Sequence, residues 1–80
     1  MTNRLPAAIQ ERLSLNIRRV LLRKRWKAEH IHKNSDVDKG NLSRFLNGHR
    51  DYTLFSLTRI ADVLQVDISE LFKPLPTKRK

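Results

Sequence analysis

Apolar residues recur along this chain at three- and four-residue steps, the period of a helix with one buried face. From Pro6 or Ala7 to about Lys24 the series is Ile9, Leu13, Ile17, Val20 and Leu21, with Arg12, Arg18, Arg19 and Arg23 on the other faces. Pro6 suits a helix start because its missing N–H is one that a first turn leaves unbonded anyway. A second, shorter helix is predicted from about Lys27 to Asn34, anchored by Ile31, with Trp26 packing beneath it. Asn34, Ser35 and Asp36 then read as a turn, since all three side chains bond back to local backbone. A third helix should start after Asp38 as N-cap and run to Leu46 or Asn47, where Asn47-Gly48 ends it. The fourth has Thr53 as N-cap and a buried stripe of Leu54, Leu57, Ile60, Ala61 and Leu64. The fifth opens on Asp67 and Glu70, which have capping-box spacing, and buries Ile68, Leu71 and Phe72. The expectation is an all-α domain of five helices over residues 1–72, followed by a flexible basic tail over residues 73–80.

The third helix carries the informative pattern. At about 100° per residue, Leu42, Phe45 and Leu46 fall on one side. The opposite side holds Gly40, Arg44 and Asn47, with Lys39 and Ser43 at its edges. Small, amide and cationic groups there suit a helix lying in a DNA major groove. Arg, Lys, Asn and Ser reach base edges or phosphates in that groove, and Gly40 lets the backbone come close. An ordinary solvated face is the plainer alternative.

Charge tips that balance. Seventeen Lys and Arg against eight Asp and Glu give a net charge of +9 in an 80-residue chain. Such a surface attracts polyanions, with nucleic acid ahead of anionic membrane or an acidic protein. The basic run Arg18–Arg25 is one step from an amphipathic membrane helix, but its apolar residues are needed for a thin core. No stretch is long and apolar enough for a membrane span, and the N-terminus becomes charged too soon for a signal peptide, so a cytoplasmic location is expected. There is no cysteine, which removes disulfides and thiol chemistry. His30 and His32 diverge by about 200° on a helix and cannot share an ion, so no metal is expected. The serines lack an ordered nucleophile setting, and two glycines cannot build a phosphate loop. Nothing points to catalysis, a cofactor or a small-molecule ligand.

A short helix, a tight turn and a second helix over about residues 27–47, in a basic all-α chain, form a helix-turn-helix pattern. From Ile17 to Phe72 the sequence resembles the lambda-repressor-like helix-turn-helix family of Cro/C1/Xre type. Ile17, Trp26, Ile31, Val37, Leu42 and Phe45 match its hydrophobic positions, and Gly48, Ala61, Leu64, Val66, Ile68 and Leu71 match its closing half. The resemblance implies a five-helix bundle that binds double-stranded DNA, usually as a symmetric homodimer. It implies base reading by Lys39, Gly40, Ser43 and Arg44. It places Ala28 at the start of helix two and His49 and Arg50 in a loop that commonly touches phosphate; Asn41, Asn47 and Lys27 or Arg25 are expected as further backbone or supporting contacts. The dimer surface it implies here is Tyr52, Phe55, Val66 and Phe72, with Leu54 beside them. The chain departs from the pattern at several places. Ala28 stands for a frequent glutamine, His32 for a small alanine, Asp36 for a turn glycine, Leu46 for a glutamate, Tyr52 for a proline, Leu21 for an arginine and Arg25 for a helix-ending glycine. Asp36 is therefore expected to carry modest left-handed strain.

These readings converge on a sequence-specific regulator of transcription, most simply a repressor on an inverted repeat. Two alternatives remain: an antitoxin-like subunit that also binds a protein partner, and a non-specific nucleic-acid binder.

Overall fold

The computed structural model describes residues 5–74. Its helices are α1 (Ala7–Lys24), α2 (Glu29–Lys33), α3 (Lys39–Leu46), α4 (Leu54–Leu64) and α5 (Ile68–Leu71), with no strand among the described residues. The all-α architecture and the five elements are those the periodicity predicts. The expected basic tail falls mostly at residues 75–80, outside the described residues.

Each helix contributes to one core. Leu13 and Ile17 from α1, Ile31 from α2, Leu42 from α3, Leu57, Ile60 and Leu64 from α4 and Leu71 from α5 are essentially inaccessible to solvent. Each such side chain stabilises the fold by roughly 1.5–3 kcal/mol relative to exposure. The short helices α2, α3 and α5 could not persist alone; α2 packs on α3 and α4, and α5 is wedged between α1 and α4.

Local chemistry sets the boundaries. The Asp38 carboxylate accepts from the backbone N–H groups of Gly40 and Asn41 at 3.0 and 3.2 Å, capping α3 as expected. Thr53 caps α4 in a reciprocal box with Ser56. At α5 the expected box is only half formed. Asp67 accepts from the Ser69 N–H and hydroxyl, while Glu70 turns away to pair with Lys73 at 3.0 Å. The Ser69 bonds hold the Asp67 carboxyl below its ordinary pKa. Helix α2 begins later than the pattern suggests. Lys27 and Ala28 form a tight entry turn, with Lys27 and Ala28 carbonyls accepting from His30 and Ile31 three residues on.

Four further expectations are corrected. Leu54 is 70% exposed, because it is the first residue of α4 and faces away from the stripe begun by Leu57. Trp26 is only half-buried. One part packs on the core, while the ring stacks on His30 at 3.9 Å with the Lys24 ammonium 5.3 Å from its centroid. Phe72 and Ile68 pack at the edge of the core rather than inside it. Asp36 carries no left-handed strain: among the described residues the non-glycine positions with positive φ are Arg25 and Gln65, both at 61°. Each sits just past a helix end. The next N–H, of Trp26 or Val66, reaches back five residues to Leu21 or Ala61, closing a Schellman turn.

Candidate nucleic-acid interface

With Leu42, Phe45 and Leu46 buried, α3 turns Lys39, Gly40, Ser43, Arg44 and Asn47 to solvent. The turn that follows adds exposed His49 and Arg50. The Asn41 side-chain oxygen accepts from both Arg44 and Arg50, at 3.4 and 3.3 Å, so the two guanidinium groups are gathered at one point of the surface. The Asn47 amide donates to the Ser43 carbonyl at 2.9 Å and approaches its hydroxyl at 3.3 Å. None of the ion pairs Lys33–Glu29, Arg59–Asp36 and Lys73–Glu70 involves Lys39, Arg44, His49 or Arg50.

A groove of about 280 Å³ runs between α2 and α3. It is lined by Ala28, Glu29, His32, Lys39, Ser43 and Asn47 with Arg18, Leu42 and Leu46 at its floor and rim. It joins the expected helix-two residue Ala28 to the expected base-reading residues. His32, bulkier than the alanine common there, is accommodated half-exposed at this rim. Lys27 is exposed on the turn entering α2.

The rear of α3 is tightly accounted for. A helix leaves its last four carbonyls without internal partners. Here Ser43 O accepts from the backbone and side chain of Asn47, and Arg44 O from His49 N–H at 2.8 Å. Phe45 O accepts from Gly48 N–H and the Ser14 hydroxyl, and Leu46 O from the Arg18 guanidinium at 3.0 Å. A cation at a helix C-terminus also complements the helix dipole. Two of these four groups are thus held by α1. Ser14, Arg18 and the buried Asn16 had no role in the sequence reading. A signal existed: Ser14 interrupts the apolar stripe between Leu13 and Ile17, where a polar side chain must find a partner.

Of the residues expected at a dimer surface, Tyr52 is corrected. It is 4% exposed, stacks on Phe45 at 5.0 Å and shares a 2.8 Å hydrogen bond with Ser14, so its side chain belongs to the monomer core. Burial pushes its phenol above the ordinary 10.0, with Ser14 and Arg18 opposing. Val66 and Phe72 are half-buried against the core. Phe55 is 61% exposed, beside Leu54, with the Arg59 guanidinium 4.7 Å from its ring centroid.

Two departures from the family pattern fall together. Leu21 and Leu46 stand where arginine and glutamate are frequent, and both are buried in the same core.

A family model for the Cro/C1-type HTH DNA-binding domain matches residues 16–76. No curated protein and no solved structure matches the chain. With the match spanning most of the sequence and α2-turn-α3 built as described, the chain belongs to the family of Cro/C1-type helix-turn-helix DNA-binding domains.

Proposed function

We propose that this protein is a sequence-specific transcriptional regulator, acting as a repressor when its homodimer occupies an inverted-repeat operator. The observation that carries the reading is the outer face of α3. It presents exposed Lys39 and Arg44 beside Gly40 and Ser43, and it is fixed from behind by capped carbonyls. In a major groove, Arg44 donates two parallel bonds to guanine, Lys39 and Ser43 take neighbouring edges, and Gly40 admits the backbone. Arg50, His49 and Lys27 neutralise phosphates, with Ala28, Asn41 and Asn47 in support. Two copies place their α3 helices about 34 Å apart, one turn of DNA. Repression follows where that site overlaps a promoter.

Arg44→Ala tests the assignment. On the preferred duplex it should cost about 1–3 kcal/mol and relax discrimination at one base pair. An equal loss on random duplexes would make Arg44 a phosphate contact and remove the base-reading role.

A second reading, a subunit that also binds a protein partner through α1, is favoured by Leu22, which is 79% exposed on that helix. It predicts stable co-purification of a partner, abolished by Leu22→Asp with DNA binding intact.

A further inference from the structure

The family match begins at residue 16, in the middle of α1, yet α1 begins at Ala7. The first half of this helix lies outside the matched residues, and its hydrogen bonds reach the turn that follows α3. The turn between α3 and α4 carries Gly48, His49 and Arg50, all exposed. Its front end is bonded to α1 at Phe45 O, by Ser14, and at Leu46 O, by Arg18. Its rear end is bonded to α1 at Tyr52. The Tyr52 N–H donates to the Gln10 side-chain oxygen at 3.1 Å, and the Tyr52 hydroxyl meets Ser14 at 2.8 Å. The Ser14 hydroxyl has one proton; donated to Phe45 O, it leaves Tyr52 as donor in the second bond. One buried oxygen thus ties both ends of the turn, and the Phe45–Tyr52 stack closes them on each other.

We propose that the N-terminal half of α1 is a brace that pre-forms the His49–Arg50 turn for phosphate contact, with Gln10 and Ser14 as its positioning residues. The proposal rests on the DNA-binding reading above. A turn of this length with loose ends must be ordered on binding, at a cost in conformational entropy for each residue fixed. Held at both ends, it meets the backbone with that cost already met by folding. The effect acts through phosphate contacts, so it should be independent of base sequence.

Gln10 is the residue to vary, because it is half-exposed and supplies an acceptor rather than core volume. Ser14→Ala would strand the buried Tyr52 hydroxyl and loosen the fold itself. In Gln10→Ala, the Tyr52 amide should exchange with solvent at least about tenfold faster, while core amides of α4 stay protected. Affinity should fall about three- to tenfold alike on the preferred and on scrambled duplexes, and the salt slope should decrease by about one. Gln10→Glu keeps the acceptor and should keep Tyr52 protected. Unchanged exchange at Tyr52 would overturn the brace. Faster exchange with wild-type affinity and salt slope would overturn its role in binding. Wild-type protein that binds no duplex would remove the DNA reading itself, a result obtained before any substitution is made; the exchange comparison would still decide whether Gln10 holds the turn.

Discussion

Both glycines of the chain, Gly40 and Gly48, lie in or beside α3, and different demands act on them. Gly48 has φ +77° and open space where a Cβ would stand, so its requirement is purely one of backbone conformation. Gly48→Ala should cost about 1–2 kcal/mol from left-handed strain alone, visible as a lowered thermal midpoint. Gly40 is helical. An added Cβ would meet the Asp38 cap oxygen at 3.1 Å and the Arg44 guanidinium at 3.8 Å, both ends of movable side chains. Gly40→Ala gains helix propensity, about 1 kcal/mol, against a disturbed cap, so the fold should be nearly unaffected. On the proposed base-reading role of α3, a methyl there should nevertheless weaken binding. Wild-type affinity in that variant would show that the backbone at Gly40 does not approach DNA. The sequence marked both glycines and the caps Asp38, Thr53 and Asp67, because their chemistry is local. It misplaced strain at Asp36, which sits in the position of a family glycine. The left-handed non-glycine residues among those described prove to be Arg25 and Gln65.

At the scale of elements, α1 organises the others, which its apolar period alone does not reveal. Its polar residues reach distant backbone. Ser14 and Arg18 cap α3, and Asn16, 2% exposed, donates to Leu71 O at 2.9 Å and Lys73 O at 2.8 Å at the end of α5. Arg19 in turn donates to the Asn16 oxygen at 3.0 Å, fixing the orientation of the amide. Four residues of α5 cannot hold themselves, so this staple matters. Asn16→Ala strands both carbonyls and should destabilise the protein by about 1–3 kcal/mol, with α5 amides losing hydrogen-exchange protection first. Uniform loss of protection across the domain would instead make Asn16 a general core residue. Helix existence and order were legible because α1, α3 and α4 repeat apolar residues at one period, while α2 and α5 were marked by the single anchor Ile31 and by the Asp67 cap. Leu54 and Tyr52 were not placed correctly because a residue at a helix start or in a loop has no period to read. Only packing decides which way it faces.

For the whole molecule, a charge of +9 predicts binding that weakens steeply with salt for specific and non-specific complexes alike. Salt dependence therefore cannot separate a regulator from a general nucleic-acid binder, and symmetry is the better probe. Leu54 and Phe55 leave an apolar pair exposed at the start of α4, and a second copy is the proposed cover. Phe55→Asp should leave the monomer folded, since the ring lies outside the core, and shift sedimentation from dimer to monomer. Unchanged sedimentation would move the interface elsewhere. A single chain can display such a patch but carries no period or motif that names its occupant, which is why the dimer surface was the least legible part of the sequence.

The central claim is that α3 reads base sequence. The most direct test is selection of bound sites from a random duplex pool at near-physiological salt. The predicted result is an enriched inverted repeat, its half-sites about one helical turn apart, with a guanine that Arg44→Ala ceases to select. Binding without enrichment would contradict the account, leaving a cationic surface that holds DNA and does not read it.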